Sequence, residues 1–269
     1  MAQITGMADL STLAATRRQT FDVMKGSGAT TFAAGNFYSG WLFDGSVDGA
    51  VPGATSVPTK ATAGAFANFN NAGGGEFLNI LGFEATIMAA ACPVFLWDRL
   101  VHMGGLDSTV ITLNTINTSA ITRGDTTGHG VMGFIESYVT MGSTPQILTV
   151  SYTNQAGTPG QITTVSIPAT MRLGRIIPIP LLTGDTGIRS VETVQLPGST
   201  GTAGNYGVTL ARKLLSVFPK DETVTAAVHG LEGELVKVDN DACLWMTFLS
   251  SGSGSPGAVI ATLDLYTTG

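Results

Sequence analysis

From residue 76 onward the chain keeps returning to one pattern. In 147–153, Leu148, Val150 and Tyr152 occupy every second place, and Thr149, Ser151 and Thr153 fill the places between. Successive side chains of an extended strand point to opposite faces, so this spacing makes one apolar face and one hydroxyl-bearing face. Tyr206, Val208 and Leu210 alternate in the same way with Gly207, Thr209 and Ala211, and Val259, Ala261, Leu263 and Leu265 oppose Thr262 and Asp264. Further apolar runs lie at 77–88, 94–101, 131–140, 162–167, 175–182, 188–196, 235–238 and 242–249. Within 131–140, Phe134 and Tyr138 share one face, and Ile135 and Val139 the other. Pro178 and Pro180 each lack a ladder donor, which places 175–182 at a sheet edge. Turns such as Asn154-Gln155-Ala156-Gly157 and Gly184-Asp185-Thr186-Gly187 separate the runs. Roughly ten short strands with turn signals about every eight to twelve residues predict an all-β, antiparallel, jelly-roll-like β-sandwich over 76–269.

The first 75 residues read differently. Leu10, Leu13, Ala14, Phe21 and Met24 fall near one face of a helical period, with Asp9 or Ser11 as a cap and Gly26-Ser27-Gly28 as a stop. This predicts an N-terminal helix over 7–25. Residues 26–75 carry Phe32, Phe37, Trp41, Phe43, Phe66 and Phe69 without a sustained period, broken by Pro52, Pro58 and Gly73-Gly74-Gly75. A long irregular stretch in a compact domain usually has a task. An extended arm laid on a neighbouring subunit would bury those rings, at roughly 1.5–3 kcal/mol each. Residues 1–75 are therefore expected to form a helix and arm for inter-subunit contact, with Leu10, Leu13, Phe21, Phe32, Phe37, Trp41, Phe43, Phe66 and Phe69 as interface candidates.

Composition narrows the function. Charged residues are 12% of the 269, hydrophobic residues 43%, and 35 residues are glycine. A chain this apolar and weakly charged folds rather than staying disordered. A net charge of −6 offers no positive footprint for phosphates, so nucleic acid is not an expected partner. No apolar run is long enough to span a bilayer, and the start Met1-Ala2-Gln3-Ile4-Thr5-Gly6 lacks the pattern of a secretion signal. Cys92 and Cys243, both in apolar surroundings, read as buried thiols rather than a disulfide framework, so cytosolic production is expected.

Constellations for chemistry are weak. His102, His129 and His229 are far apart in sequence, and no Gly-x-Ser-x-Gly elbow accompanies them. Asp239-Asn240-Asp241 reads as a turn that satisfies its own backbone, since the glycine and glutamate of a calcium loop are missing. Gly73-Gly74-Gly75 leads into Glu76, and Gly198-Ser199-Thr200-Gly201 lacks the lysine of a phosphate loop. Glu76 with Glu84, or Asp44 with Asp48, could in principle form a glycosidase pair, but nothing in the spacing brings them together. The expectation is no catalytic, cofactor-binding or metal-binding residue, and no small-molecule ligand.

Three stretches carry a resemblance. They are Phe95-Leu96-Trp97-Asp98-Arg99-Leu100-Val101-His102-Met103-Gly104-Gly105-Leu106; Val150-Ser151-Tyr152-Thr153-Asn154-Gln155-Ala156-Gly157-Thr158-Pro159-Gly160; and Gly184-Asp185-Thr186-Gly187-Ile188-Arg189-Ser190-Val191, continued by Gly201-Thr202-Ala203-Gly204-Asn205-Tyr206-Gly207-Val208-Thr209-Leu210. Together they resemble a group of tailed-bacteriophage virion structural proteins, over about half the chain. The resemblance implies a non-enzymatic particle component, assembled in the cytoplasm of an infected bacterium and residing in the virion. An auxiliary capsid protein of the cement or decoration type is the reading favoured. A tail, collar or fibre component with a receptor- or glycan-binding role is the alternative, with loops 123–130 and 197–205 carrying selectivity. The major capsid protein is a third reading, set back because no long charged helix is visible. The partners implied are copies of the chain itself, a trimer among them, and other virion proteins such as the major capsid protein.

Overall fold

The computed structural model describes residues 17–26, 31–88, 92–220, 224–229, 235–252, 254 and 257–268. Among them run fifteen strands and no helical element. The first eight are β1 (Arg18–Gly26), β2 (Phe37–Ser39), β3 (Phe77–Ile87), β4 (Val94–Asp107), β5 (Asn114–Thr115), β6 (Val131–Val139), β7 (Gln146–Asn154) and β8 (Gln161–Ile167). The others are β9 (Arg175–Pro178), β10 (Ile188–Gln195), β11 (Asn205–Val217), β12 (Thr225–His229), β13 (Val236–Val238), β14 (Leu244–Leu249) and β15 (Ala258–Thr268). Every pairing between them is antiparallel.

The arrangement is a closed barrel with two flanking sheets, in place of the two facing sheets expected. The barrel runs β11-β4-β14-β2-β9-β6 and closes through the β6–β11 pairing. One flanking sheet runs β1-β15-β3-β12, with β13 also on β3, and the other runs β5-β10-β7-β8. The long strands β4 and β11 serve both sheets. Val94 and Leu96 of β4 and Leu215 and Val217 of β11 join a core with Leu78, Phe83, Ala261 and Leu263 of the first sheet. Further along the same two strands, Leu100, Val101, Val208 and Leu210 join a second core with Leu148, Val150, Val191 and Val194 of the other sheet. A third cluster, with Trp97, Phe134, Tyr138 and Trp245, fills the barrel.

Close contact between the two long strands depends on a missing side chain. A Cβ at Gly207 on β11 would lie 1.8 Å from the Met103 carbonyl oxygen, at the register shift between Tyr206 and Val208. A glycine is what lets the backbones approach here.

Several expectations are corrected. The helix over 7–25 is replaced, where described, by β1, which pairs with β15 from Arg18↔Tyr266 to Gly26↔Ala258. Val23 and Lys25 are buried while Arg18, Thr20, Asp22 and Met24 are exposed, a period of two. Leu10, Leu13 and Ala14 lie outside the described residues. The run at 175–182 is no edge: β9 pairs with β2 on one side and β6 on the other. Pro178 is tolerated because it closes the strand, and the donor beyond it, Ile179 N–H, bonds to Gly133 O at 2.8 Å.

The segment expected to form an extended arm folds onto its own chain. It supplies β2, one stave of the barrel. Phe32, Trp41, Phe43, Phe66 and Phe69 are all buried. Phe32 stacks on Tyr38 with centroids 4.0 Å apart, and Phe66 meets Phe83 of β3 at 6.1 Å. Phe21 and Phe37 are half-buried, packed against the first and third clusters. The burial these rings require is thus met within the chain. Buried Lys25 fastens the end of β1 to this segment, its ammonium donating to the carbonyls of Phe43 and Val47.

Candidate functional site

The densest group of ionisable side chains lies in the barrel. Arg99 comes from the middle of β4, between Asp98 and Leu100, and is completely buried. Its Nη2 donates to Glu136 Oε2 at 2.7 Å and to the Tyr138 hydroxyl at 2.9 Å, and Nη1 donates to Glu136 Oε1 at 3.3 Å. Its Nε donates to His102 Nδ1 at 3.0 Å. Glu136 Oε2 also accepts from Tyr138 at 3.0 Å and from Thr209 at 2.6 Å. β4 and β6 are not neighbours in the barrel, because β11 lies between them. The Arg99–Glu136 pair therefore bridges over β11 on the inside of the barrel, where Thr209 of β11 joins it.

Aromatic rings enclose the pair. The guanidinium carbon sits 4.3 Å from the Trp41 ring centre and 4.9 Å from that of Trp245, a cation–π sandwich. Phe134 on β6 and Trp245 on β14 are likewise non-neighbouring, and their centroids are 6.0 Å apart across the lumen. The indole N–H groups find partners: Trp97 donates to Thr247 Oγ1 at 2.8 Å, Trp245 to Ser39 Oγ at 3.0 Å, and Trp41 to Ala50 O at 2.9 Å.

Electrostatics follow from burial. Desolvation works against the charge on Arg99 and the Glu136 carboxylate offsets it, so the guanidinium stays ionised. Burial and the adjacent Arg99 charge push the His102 imidazole down to about 3, so it is neutral and free to accept from Arg99. Burial, and then the Glu136 charge, push the Tyr138 phenol well above its ordinary range. A second pair adjoins the first. Asp98 Oδ1 accepts from Arg123 Nη2 at 3.0 Å and from the Cys243 backbone N–H at 3.0 Å, and the same Arg123 nitrogen donates to the Arg99 carbonyl at 3.0 Å. Burial raises Asp98 despite Arg123, which acts in the opposite direction.

Chemically, this arrangement holds a fold. The interior groups are enclosed and engaged with one another, so they fix strand register around the barrel. The Cys92 and Cys243 thiols are free and buried, and burial pushes both up to about 12, far from thiolate character. Asp239-Asn240-Asp241 is a turn that also clasps the 71–72 segment: Asn240 Oδ1 accepts from Ala72 N–H at 3.0 Å, and Ala242 N–H donates to Asp239 O at 3.0 Å.

Two of the surface clefts are larger than a third, of about 350 Å³, beside Arg17 and Asn70. One, of about 410 Å³, is lined by Glu76, Arg123, Lys237 and Asp239 among others. Its charges are engaged: Glu76 with Arg17, Arg123 with Asp98, Asp239 with Arg212, and Lys237 over the Phe77 ring at 4.1 Å. The other, of about 620 Å³, is lined by Pro145, Ile147, Ile167, Pro168 and Pro197 with Arg175. The loops expected to carry selectivity are largely exposed, each with local hydrogen bonds of its own. Asp125 Oδ1 accepts from the Thr127 N–H and hydroxyl, and Thr200 is buried with its hydroxyl on Ser108 at 2.9 Å.

Sequence reasoning did not find this site. The candidates it named do meet it in part, since Trp41 stacks on Arg99, and Phe37 packs on Phe95 beside Trp97. Phe32, Phe43, Phe66 and Phe69 lie in the first core, and Leu10 and Leu13 are outside the described residues. The available signal was the placement of Asp98, Arg99 and Glu136 inside apolar runs, where a charge needs a partner.

No protein-family model and no curated protein matches this chain. Among solved structures, the VP2 subviral particle of infectious bursal disease virus is similar at 8% identity, over 93% of this chain and 80% of that chain, with a TM-score of 0.22. T=1 particles derived from infectious bursal virus align at 10% identity, over 93% of this chain and 77% of that chain, with a TM-score of 0.21. Similarity at these scores carries no weight for fold or function.

Proposed function

We propose that this chain is a structural protein of a virus particle, acting by contact rather than by catalysis. The finer reading is an auxiliary capsid protein of a tailed phage, of the cement or decoration kind, assembled in the host bacterial cytoplasm and carried in the virion. One observation carries the proposal. The buried charges are consumed in bracing the scaffold, Arg99 with Glu136 inside the barrel and Arg123 with Asp98 beside it. Large apolar side chains meanwhile stand on the outside, among them Leu113, Ile147 and Ile162. A rigid body with apolar surface suits lateral contact within an assembly. The stretches behind the phage resemblance fit the same division of labour, because 95–106 falls on β4 and 205–210 on β11, the two strands shared by all three cores.

Fractionation of particles into heads and tails, with the copy number of this chain measured in each, tests the proposal. Many copies per head support a cement or capsid role. A few copies confined to tails would replace that role with a collar or fibre component, and absence from particles would refute the proposal.

A further inference from the structure

Strand β8 forms one edge of the β5-β10-β7-β8 sheet. It pairs with β7 without a register shift, and among the described residues no backbone hydrogen bond reaches 161–167 from the other side. Its sequence, Gln161-Ile162-Thr163-Thr164-Val165-Ser166-Ile167, has no charge, proline or glycine and is rich in β-branched residues. Sheets ordinarily guard such edges with lysine, proline, a bulge or a covering loop. The other edges here are guarded or short: β1 carries Arg18, Asp22 and Lys25, β5 has two residues, and β12 has five. β8 is the longest uncharged edge among the described strands. Ile162 on β8 and Ile147 on neighbouring β7 are 62% and 57% exposed. The carboxylate on that face, Glu192, is already occupied by the hydroxyls of Thr153, Ser190 and Ser151.

The geometry points to β8 as an interface between two copies of this chain, paired antiparallel about a twofold axis through Thr164. In that register Thr164 faces its own copy, Ile162 faces Ser166, Thr163 faces Val165 and Gln161 faces Ile167, so the strand complements itself. Charge selects the occupant. Two chains of net charge −6 repel in general, but along β8 they meet without a charged side chain on either strand, and Arg175, which lines the cleft beside Ser166 and Ile167, belongs to β9 and not to the strand pair. A single strand pair is smaller than the roughly 1,200–2,000 Å² of a standard stable interface, so the contact is weak alone and gains strength by repetition. The inference takes its setting from the particle reading, but its test needs only the purified chain.

Thr164→Cys in the full-length protein places two thiols opposite one another, while Cys92 and Cys243 stay buried. Mild oxidation is expected to give a disulfide-linked dimer on a non-reducing gel faster than the exposed-loop control Thr126→Cys. In sedimentation velocity, Thr164→Lys and Thr164→Glu should each lower the dimer fraction relative to the native chain, because like charges then face each other. An equimolar mixture of the two should restore it. Cross-linking no faster than the control, a lysine variant that associates like the native chain, or a mixture that fails to recover would each overturn the inference. A chain that pairs in solution yet is absent from particles would refute the particle reading alone.

Discussion

At the scale of single residues, the Arg99 network ties stability to charge. Replacing one member of a buried ion pair leaves the other unpaired in a medium that solvates it poorly, typically at a loss of about 3–5 kcal/mol. Arg99→Met is expected to destabilise the fold by that amount in denaturant titration, because Glu136 keeps only Tyr138 and Thr209 as donors. Removing both charges, as Arg99→Met with Glu136→Leu, should cost less than the sum of the single changes. His102 makes a second prediction. Folded, it resists protonation down to about pH 3, whereas an unfolded histidine takes up a proton near pH 6.5. The unfolded state therefore binds more protons between these values, and stability falls as the pH is lowered through them, by at most about 1.4 kcal/mol per pH unit. Thermal melts across that range should show a shallower decline in His102→Gln, which can still accept from Arg99 but does not titrate.

At the scale of elements, the tight crossing of β4 and β11 is the most exposed to error. Gly207→Ala would drive a methyl group into the Met103 carbonyl, and a loss of about 1–3 kcal/mol in unfolding free energy is expected. The strands with long alternating runs, such as β7 and β15, could be read from the sequence because one face is buried and the other is not, and β11 keeps the same alternation although both of its faces are buried over 206–211. β1 was hidden because Leu10, Leu13, Phe21 and Met24 mimic a helical spacing while the decisive alternation lies in Val23 and buried Lys25. β2 is only three residues long, too short for any period to register. Apart from Phe37 on β2, the rings from Phe32 to Phe69 carry no period since they pack from outside the named strands, so the sequence signals that they need burial without saying against what. Nor could the Arg99–Glu136 contact be read locally, because it joins strands that are not sheet neighbours.

At the scale of the whole molecule, the first described strand is completed by the last. β15 lies between β1 and β3, so the first sheet cannot form until β15 is in place. Ending the chain at Gly257 removes the centre of that sheet and exposes Phe83, Ile87 and their neighbours. Such a truncated protein is expected to lose the cooperative thermal transition of the full chain, as checked by circular dichroism and calorimetry. Pairings this distant in sequence also predict slow refolding, on the order of milliseconds to seconds, in stopped-flow experiments.

The register that sets Arg18 across from Tyr266 has a practical corollary. Any peptide spliced before β1 or after β15 would emerge from one corner of the molecule. A short bridge across that corner would let the polypeptide be reopened elsewhere, for instance in the exposed turn at 182–184, without disturbing any strand.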